Sequence, residues 1–345
     1  MSAISTHHSL AKRLSRPLAR IAGVPVGVAA AYLLRLSGRK AGIALMYHSV
    51  DQRAGDPSRE LVPPHEVGLF ERQLRHVRRH YDVVPAERLQ HAARARRRGR
   101  RFPVAITFDD DLACHERLAL PVLRRLGLTA TFFLCGASLD RPFSFSFERL
   151  QRAYDVDQSK AAALVTGRGS ATELADLHSL GVALEDMTPG ERDLAAERLL
   201  AVAGPDPEDA GIRRPQVRAL AEAGMTVGFH SLRHDPLTSL TDEQLATAME
   251  AGRAALADAA GAPVDVIGYP HGRADERVGA AARAAGFRAG YTTRRVPVTP
   301  ESDPLLLGRI GPSLRSVGAL ALEIPLTLLR RGSVRPSPAP ARGSS

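Results

Sequence analysis

Three short segments of this chain hold side chains that could do chemistry together. The first is Thr107-Phe108-Asp109-Asp110, which closes an apolar, β-branched run over residues 102–108. Neighbouring side chains on an extended strand point to opposite faces, so two acids at a strand end can divide the work. One can bind a cation while the other stays free as a base, although the same pair would also serve as a turn or helix N-cap. The second segment is His230-Ser231-Leu232-Arg233-His234. Histidines at i and i+4 face the same way on a helical turn, a spacing suited to metal capture. Joined to an aspartate from another strand end, they make a His-His-Asp set for a borderline metal such as zinc, with positions left for water. The third is Gly268-Tyr269-Pro270-His271-Gly272-Arg273. A tight loop of this kind can aim a backbone N–H at a developing oxyanion, and it is equally adequate as a plain strand-to-helix turn.

The elements that must position these groups alternate between strand and helix. A strand over 42–47 ends at His48, and a helix over 66–79 follows with Leu69, Phe70, Leu74 and Val77 on one face. The strand at 102–108 leads into a helix over about 112–126 closed by Gly127, then a strand over 129–134. The pattern returns as helix 215–223, Gly224 and strand 225–229, and again as strand 266–269, helix 275–285, Gly286 and strand 287–292. Such alternation predicts a parallel sheet, either doubly wound or closed as a barrel. His48, Asp109 with Asp110, His230, and Pro270 with His271 all fall just past strand carboxyl ends, the edge where ligands bind in both architectures. Residues 141–214 break the alternation and read as helices, one of them opened by the capping box Thr188-Pro189-Gly190-Glu191. They are expected to form a helical insertion that overhangs the active-site face.

Composition narrows the class. The 345 residues include 44% apolar and 24% charged positions, an ordinary globular balance that excludes disordered and fibrous chains. Cys114 and Cys135 cannot form a disulfide scaffold and fit no metal-ligand spacing. With no Trp among 16 aromatics, a long stacking platform for sugars or bases is not expected. The net charge of +10 is unevenly placed: residues 1–40, the run 94–101 and the chain from Arg330 hold 17 positive charges and no acid, so the remainder is −7. A specific nucleic-acid partner is therefore not expected, and the basic parts suit peripheral contact with an anionic membrane or cell envelope. The apolar stretch 21–34 is too short to span a bilayer comfortably and has no clear cleavage site after it. The reading is three parts: a basic arm over 1–40, a catalytic body over 41–325, and a disordered basic tail over 326–345. A cytoplasmic or membrane-peripheral location is expected, with a signal-anchored or exported protein as the alternative.

Together the three segments resemble the polysaccharide deacetylase family, the NodB-homology or carbohydrate esterase family 4 group. TFDD at 107–110, HSLRH at 230–234 as the family's H-[S/T]-x-x-H, and YPHG at 269–272 as its Pro-x-Gly loop occur in the family's order. ALMYHSV at 44–50 and the run at 70–89 are similar to the branch that deacetylates poly-N-acetylglucosamine exopolysaccharides. The resemblance implies an α/β fold, a distorted (β/α)7-type barrel, and removal of N-acetyl groups from amino sugars by attack of a metal-bound water on the amide carbon. It implies that Asp110, His230 and His234 hold a divalent metal, zinc first, with cobalt or nickel as alternatives. Asp109 would be the general base, and Tyr269, Pro270, Gly272 and Arg273 would line the substrate and oxyanion side. Three positions depart from the family pattern. Gly268 stands where the family often has an arginine that orients the base, with Arg273 as the candidate replacement. Asp111 replaces the usual glycine and would put a third carboxylate beside the metal. No histidine follows His271, so the family's late Leu-x-His acid is missing, and an acid for the leaving amine would have to be His271, His48 or a metal-bound water. Two other readings stay open at this point: a related amidohydrolase acting on a small non-sugar amide, and a degenerate sugar-binding barrel.

Overall fold

The computed structural model describes residues 22–167 and 176–332. Residues 1–21 of the expected arm and 333–345 of the expected tail lie outside the described residues. In chain order the elements begin with α1 (Gly23–Arg35), β1 (Ile43–Tyr47), α2 (Val67–His80), β2 (Asp82–Val83), α3 (Leu89–Ala95), β3 (Pro103–Asp109), α4 (Leu120–Leu126) and β4 (Thr131–Leu134). Four helices then follow without a strand: α5 (Ser146–Val156), α6 (Gln158–Thr166), α7 (Leu177–Glu185) and α8 (Pro189–Ala203). Alternation resumes with α9 (Arg214–Glu222), β5 (Thr226–Phe229), α10 (Asp242–Glu250), α11 (Arg253–Ala260), β6 (Val266–Gly268), α12 (Glu276–Ala284), β7 (Ala289–Tyr291) and α13 (Val317–Leu329).

β3 is the spine of the sheet because its seven residues, PVAITFD, are apolar enough to be buried throughout. β1 runs parallel along its whole length, from Ile43 opposite Val104 to Tyr47 opposite Phe108. On the other side β2 pairs with its start and β4 with its end. β5, β6 and β7 extend the sheet, all parallel. The two ends of this sheet are joined by one extended segment. Leu307 exchanges hydrogen bonds with Gly290 and Thr292, and Ile310 exchanges them with Ala44 and Met46. The sheet therefore curls into a half-barrel of the kind the sequence implies, with Arg309 at the seam.

Local chemistry sets the element ends. α2 is amphipathic, burying Leu69, Phe70, Leu74 and Val77, and Glu66 caps it by accepting from the N–H groups of Gly68 and Leu69. The helix expected from residue 112 starts later. Residues His115–Ala119 form a wider π-type turn, and regular helix begins at Leu120 with a proline in its first turn. Pro121 has no N–H to donate to the preceding turn, so a continuous α-helix through it is unfavourable. Gly127 stops α4 in the left-handed conformation (φ 60°). α5–α8 enclose a small core of their own, including Leu150, Ala161, Leu177, Leu180 and Leu199.

From Gly23 on, the apolar stretch expected at 21–34 forms α1, which packs on α13. Gly23 and Gly27 allow the approach: a Cβ on either would fall 2.7 and 2.2 Å from the backbone oxygens of Gly318 and Ala321.

Candidate active site

Three consecutive aspartates leave β3 with three different jobs. Asp109 ends the strand and is 2% exposed. Arg309 holds it with two parallel bonds, Nη1 to Oδ1 at 2.6 Å and Nη2 to Oδ2 at 2.8 Å. His48 Nε2 lies 3.9 Å from Oδ2. Burial pushes this carboxyl up, and the Arg309 guanidinium with His230 and His48 outweighs it, leaving Asp109 below the ordinary carboxylate value.

Asp110 turns the other way through a left-handed backbone (φ 76°). Its Oδ1 lies 3.6 Å from His230 Nε2 and 3.3 Å from His234 Nε2. That oxygen is buried and has no well-aligned hydrogen-bond donor among the described residues. One donor atom each from Asp110, His230 and His234 falls within 4.8 Å of the others. An orphaned buried carboxylate oxygen facing two imidazole nitrogens is the donor set a borderline divalent cation takes, so the residues fit such an ion.

Asp111 corrects an expectation. It stands away from Asp110's donors and clamps the loop after β4, accepting from the N–H groups of Cys135 (2.8 Å), Gly136 (3.1 Å), Ala137 (2.8 Å) and Ser138 (3.3 Å). With its oxygens committed to backbone donors, it cannot act as a third metal carboxylate.

The two histidines converge, but not on a helical turn as their spacing suggested. β5 ends at Phe229, His230 adds one more sheet bond to Leu134 O, and Ser231 and His234 then take left-handed backbones (φ 54° and 53°). Two reversals within four residues bring the imidazoles to a ring separation of 5.1 Å. His230 Nδ1 donates to Gly268 O at 2.7 Å, which fixes the tautomer and leaves Nε2 as a lone-pair donor toward Asp110.

The 269–272 loop holds a second correction. Tyr269 is fully buried and its hydroxyl donates to Leu305 O at 2.7 Å, so this side chain faces the core and not a substrate. Pro270 is also buried. Gly272 is left-handed (φ 65°), and a Cβ there would lie 2.1 Å from Thr293. His271 (φ 56°) comes within 4.6 Å of the His234 ring, and its Nδ1 lies 3.2 Å from Glu185 Oε1. Arg273 does not orient the base: it reaches the same Glu185 at 3.2 Å and lies partly in solvent. Arg309 holds Asp109 instead. Gly268 could not supply an arginine, because a Cβ there would meet the Phe133 ring at 2.8 Å. A lone arginine inside the run Leu305-Leu306-Leu307-Gly308-Arg309-Ile310 was the available signal, since a charge in a buried strand needs a partner.

The helices between β4 and α9 form the opposite wall. A cavity of about 1000 Å³ lies between Asp109, Asp110, His230 and His234 below and Phe145, Phe147, Glu185 and Arg192 above. The Phe145 and Phe147 rings stack on each other, and each lies 5.6 Å from the His234 ring. Pairs of charged side chains join this cap to the site loops. Glu185 of α7 meets His271 and Arg273. Arg192 of α8 binds Asp235, with both side chains buried, and Asp193 binds Arg233 at 2.8 Å.

Comparison with known proteins bears on the family and the fold. Residues 96–290 match the family model described as polysaccharide deacetylase. No curated protein matches the chain. Among solved structures, the deacetylase PplD of Streptococcus pyogenes, in complex with acetate, aligns over 82% of this chain and 98% of its own, with a TM-score of 0.56 at 16% identity. IcaB of Ammonifex degensii aligns over 82% of this chain and 97% of its own, with a TM-score of 0.52 at 18% identity. A polysaccharide deacetylase of Bacillus cereus covers the same 82% of this chain and 69% of its own, with a TM-score of 0.54 at 17% identity.

Proposed function

Because the chain belongs to the polysaccharide deacetylase family, hydrolases that act on acetyl groups, we propose that it removes N-acetyl groups from amino sugars of a polysaccharide or glycoconjugate by a metal-assisted reaction. The observation that supports this most is the pairing of two sites on one strand end: Asp110 converging with His230 and His234, and Asp109 held beside them by Arg309. A divalent cation on the first set, zinc first and cobalt or nickel as alternatives, would supply Lewis acidity to water and to the acetamide carbonyl.

The chain's own residues then divide the remaining work. Asp109 is ionised by its arginine and takes a proton from the attacking water. The His271 backbone N–H, on the left-handed turn beside His234, donates to the oxyanion as the carbonyl becomes tetrahedral. His271, aligned by Glu185, returns a proton to the leaving amine, and His48 on the far side of Asp109 is the second donor. Products are acetate and a free amine on the sugar. The walled cavity and the absence of Trp favour a grip on a short stretch of sugar through polar contacts.

The test is acetate release from N-acetylglucosamine oligomers of increasing length, with zinc, cobalt or nickel added in turn. Turnover is expected to need the metal and to fall at least about 1000-fold in Asp109→Asn. Full activity in Asp109→Asn or His230→Ala would sink the assignment.

A further inference from the structure

α1 is a surface helix without a polar face. Its sequence, GVPVGVAAAYLLR, has no charge before Arg35. Gly23, Gly27 and Ala31, four residues apart, are buried against α13. The opposite face, at Val26, Ala29, Tyr32, Leu33 and Leu36, is exposed. Among the described residues nine large apolar side chains stand exposed, and six of them lie on or beside this helix pair: Val26, Tyr32, Leu33, Leu36, Leu326 and Leu329, at 48–66%. The two helices run in the same direction, with Gly23 beside Gly318 and Gly27 beside Ala321, so their carboxyl ends come together. A concentrated apolar face of this kind marks a surface that something covers.

Charge identifies the cover. The Arg-rich loop is fastened to the end of α1: Arg96 donates to the carbonyls of Arg35 (3.0 Å), Ser37 (3.3 Å) and Arg39 (2.6 Å), and Gly99 N–H donates to Arg35 O at 2.7 Å. Arg97, Arg98, Arg100 and Arg101 are exposed there. Arg39 reaches Arg330 O, which brings Arg330 and Arg331 to the same end. The chain before Ala22 adds Lys12, Arg13, Arg16 and Arg20, with no acid. Apolar side chains rimmed by arginine are the composition that lies in the interface of an anionic bilayer.

We propose that the α1–α13 face, with the Arg97–Arg101 loop, docks this protein on an anionic lipid surface. The helices are too short to cross: no helix among the described residues is long and apolar enough to span a membrane. Docking also sets the direction of the site. The basic cluster adjoins the amino ends of β1 and β3, whereas Asp109, Asp110 and His230 stand at strand carboxyl ends. A docked molecule therefore turns its cavity away from the bilayer, toward a substrate that extends from the surface.

The test is flotation of the full chain with vesicles of phosphatidylcholine containing 30% phosphatidylglycerol, against vesicles of phosphatidylcholine alone. Binding is expected only with the anionic vesicles and is expected to weaken as salt rises. Leu33→Asp with Leu36→Asp should weaken it at least tenfold, and Arg97→Glu with Arg98→Glu should do so most at low salt. Unchanged thermal midpoints in both variants exclude misfolding as the cause. Vesicle binding that survives Leu33→Asp with Leu36→Asp would overturn the proposal. So would a dimer that forms in solution without vesicles and falls to monomer in that variant, because a second copy would then be the cover.

Discussion

On the sheet side of the cavity, Asp109, His230 and Gly268 sit within one residue of three parallel strand ends. On the helical side, Glu185 and Arg192 reach the same cavity from α7 and α8, whose apolar residues pack into a core separate from the barrel's. The sheet side is placed by the backbone, since strand pairing and register fix where each side chain emerges. The helical side is placed by side chains: pairs made by Glu185, Arg192 and Asp193 join it to the loops below. Chemistry should therefore be sensitive to the sheet side, while metal retention and substrate grip should be sensitive to the cap.

Three substitutions can break or sharpen that contrast. The largest effect is expected on the sheet side at Arg309→Met. It leaves Asp109 buried without its counter-charge, which costs roughly 3–5 kcal/mol of stability. Turnover should fall about 100-fold, and the acid limb of kcat/KM should move to higher pH. The sign follows from the depressed carboxyl: the folded protein favours ionised Asp109, and that preference is lost as pH falls through its folded value. Without the guanidinium, that loss begins at a higher pH. Arg309→Lys should recover part of the rate, and an unmoved pH profile in Arg309→Met would show that the arginine only fills space.

A middle effect is expected at Arg192→Met in the cap. Asp235 follows His234 directly, so releasing it loosens the loop that aims a ligand. Zinc retention against a chelator should weaken about 10- to 100-fold, the usual scale for groups that orient ligands. Wild-type retention in this variant would make the cap a passive roof. The smallest effect belongs to Glu148→Gln, in α5 of the cap. Burial pushes the Glu148 carboxyl up to about 8 while it accepts Phe145 N–H. A raised carboxyl stabilises fully below its unfolded value and loses that contribution as pH rises through about 8. Thermal midpoints of parent and variant should coincide near pH 4, with the variant about 2–4 °C higher at pH 8.

The same contrast explains what could be read from sequence. Asp109, Asp110, His230 and His271 were legible because each ends a strand or follows one within three residues, and strand ends follow from local apolar runs. The partner of Asp109 lies 200 residues away and enters through the seam at Leu307 and Ile310, a long-range closure that no local pattern encodes. Glu185 and Arg192 were hidden for a related reason. Their helices could be expected, but which helix face meets the barrel is decided by docking and not by periodicity. The His230–His234 spacing was a fortunate signal, because a helix and this doubly reversed loop both bring the two rings together.

Among the described residues, the non-glycine positions with positive φ are Asp110, Ser231, His234 and His271, and all four are in the site loops. Such backbones cost on the order of 1–3 kcal/mol each. Ser231 also buries a hydroxyl that finds no partner among the described residues. Heat tolerance and turnover are thus set against each other at the same few positions. A population of variants selected only for survival at high temperature should drift toward glycine at 231 without harm. At 110, 234 and 271 the same relaxation would remove a side chain on which the proposed reaction depends, so selection for that reaction would keep this protein less stable than its fold permits.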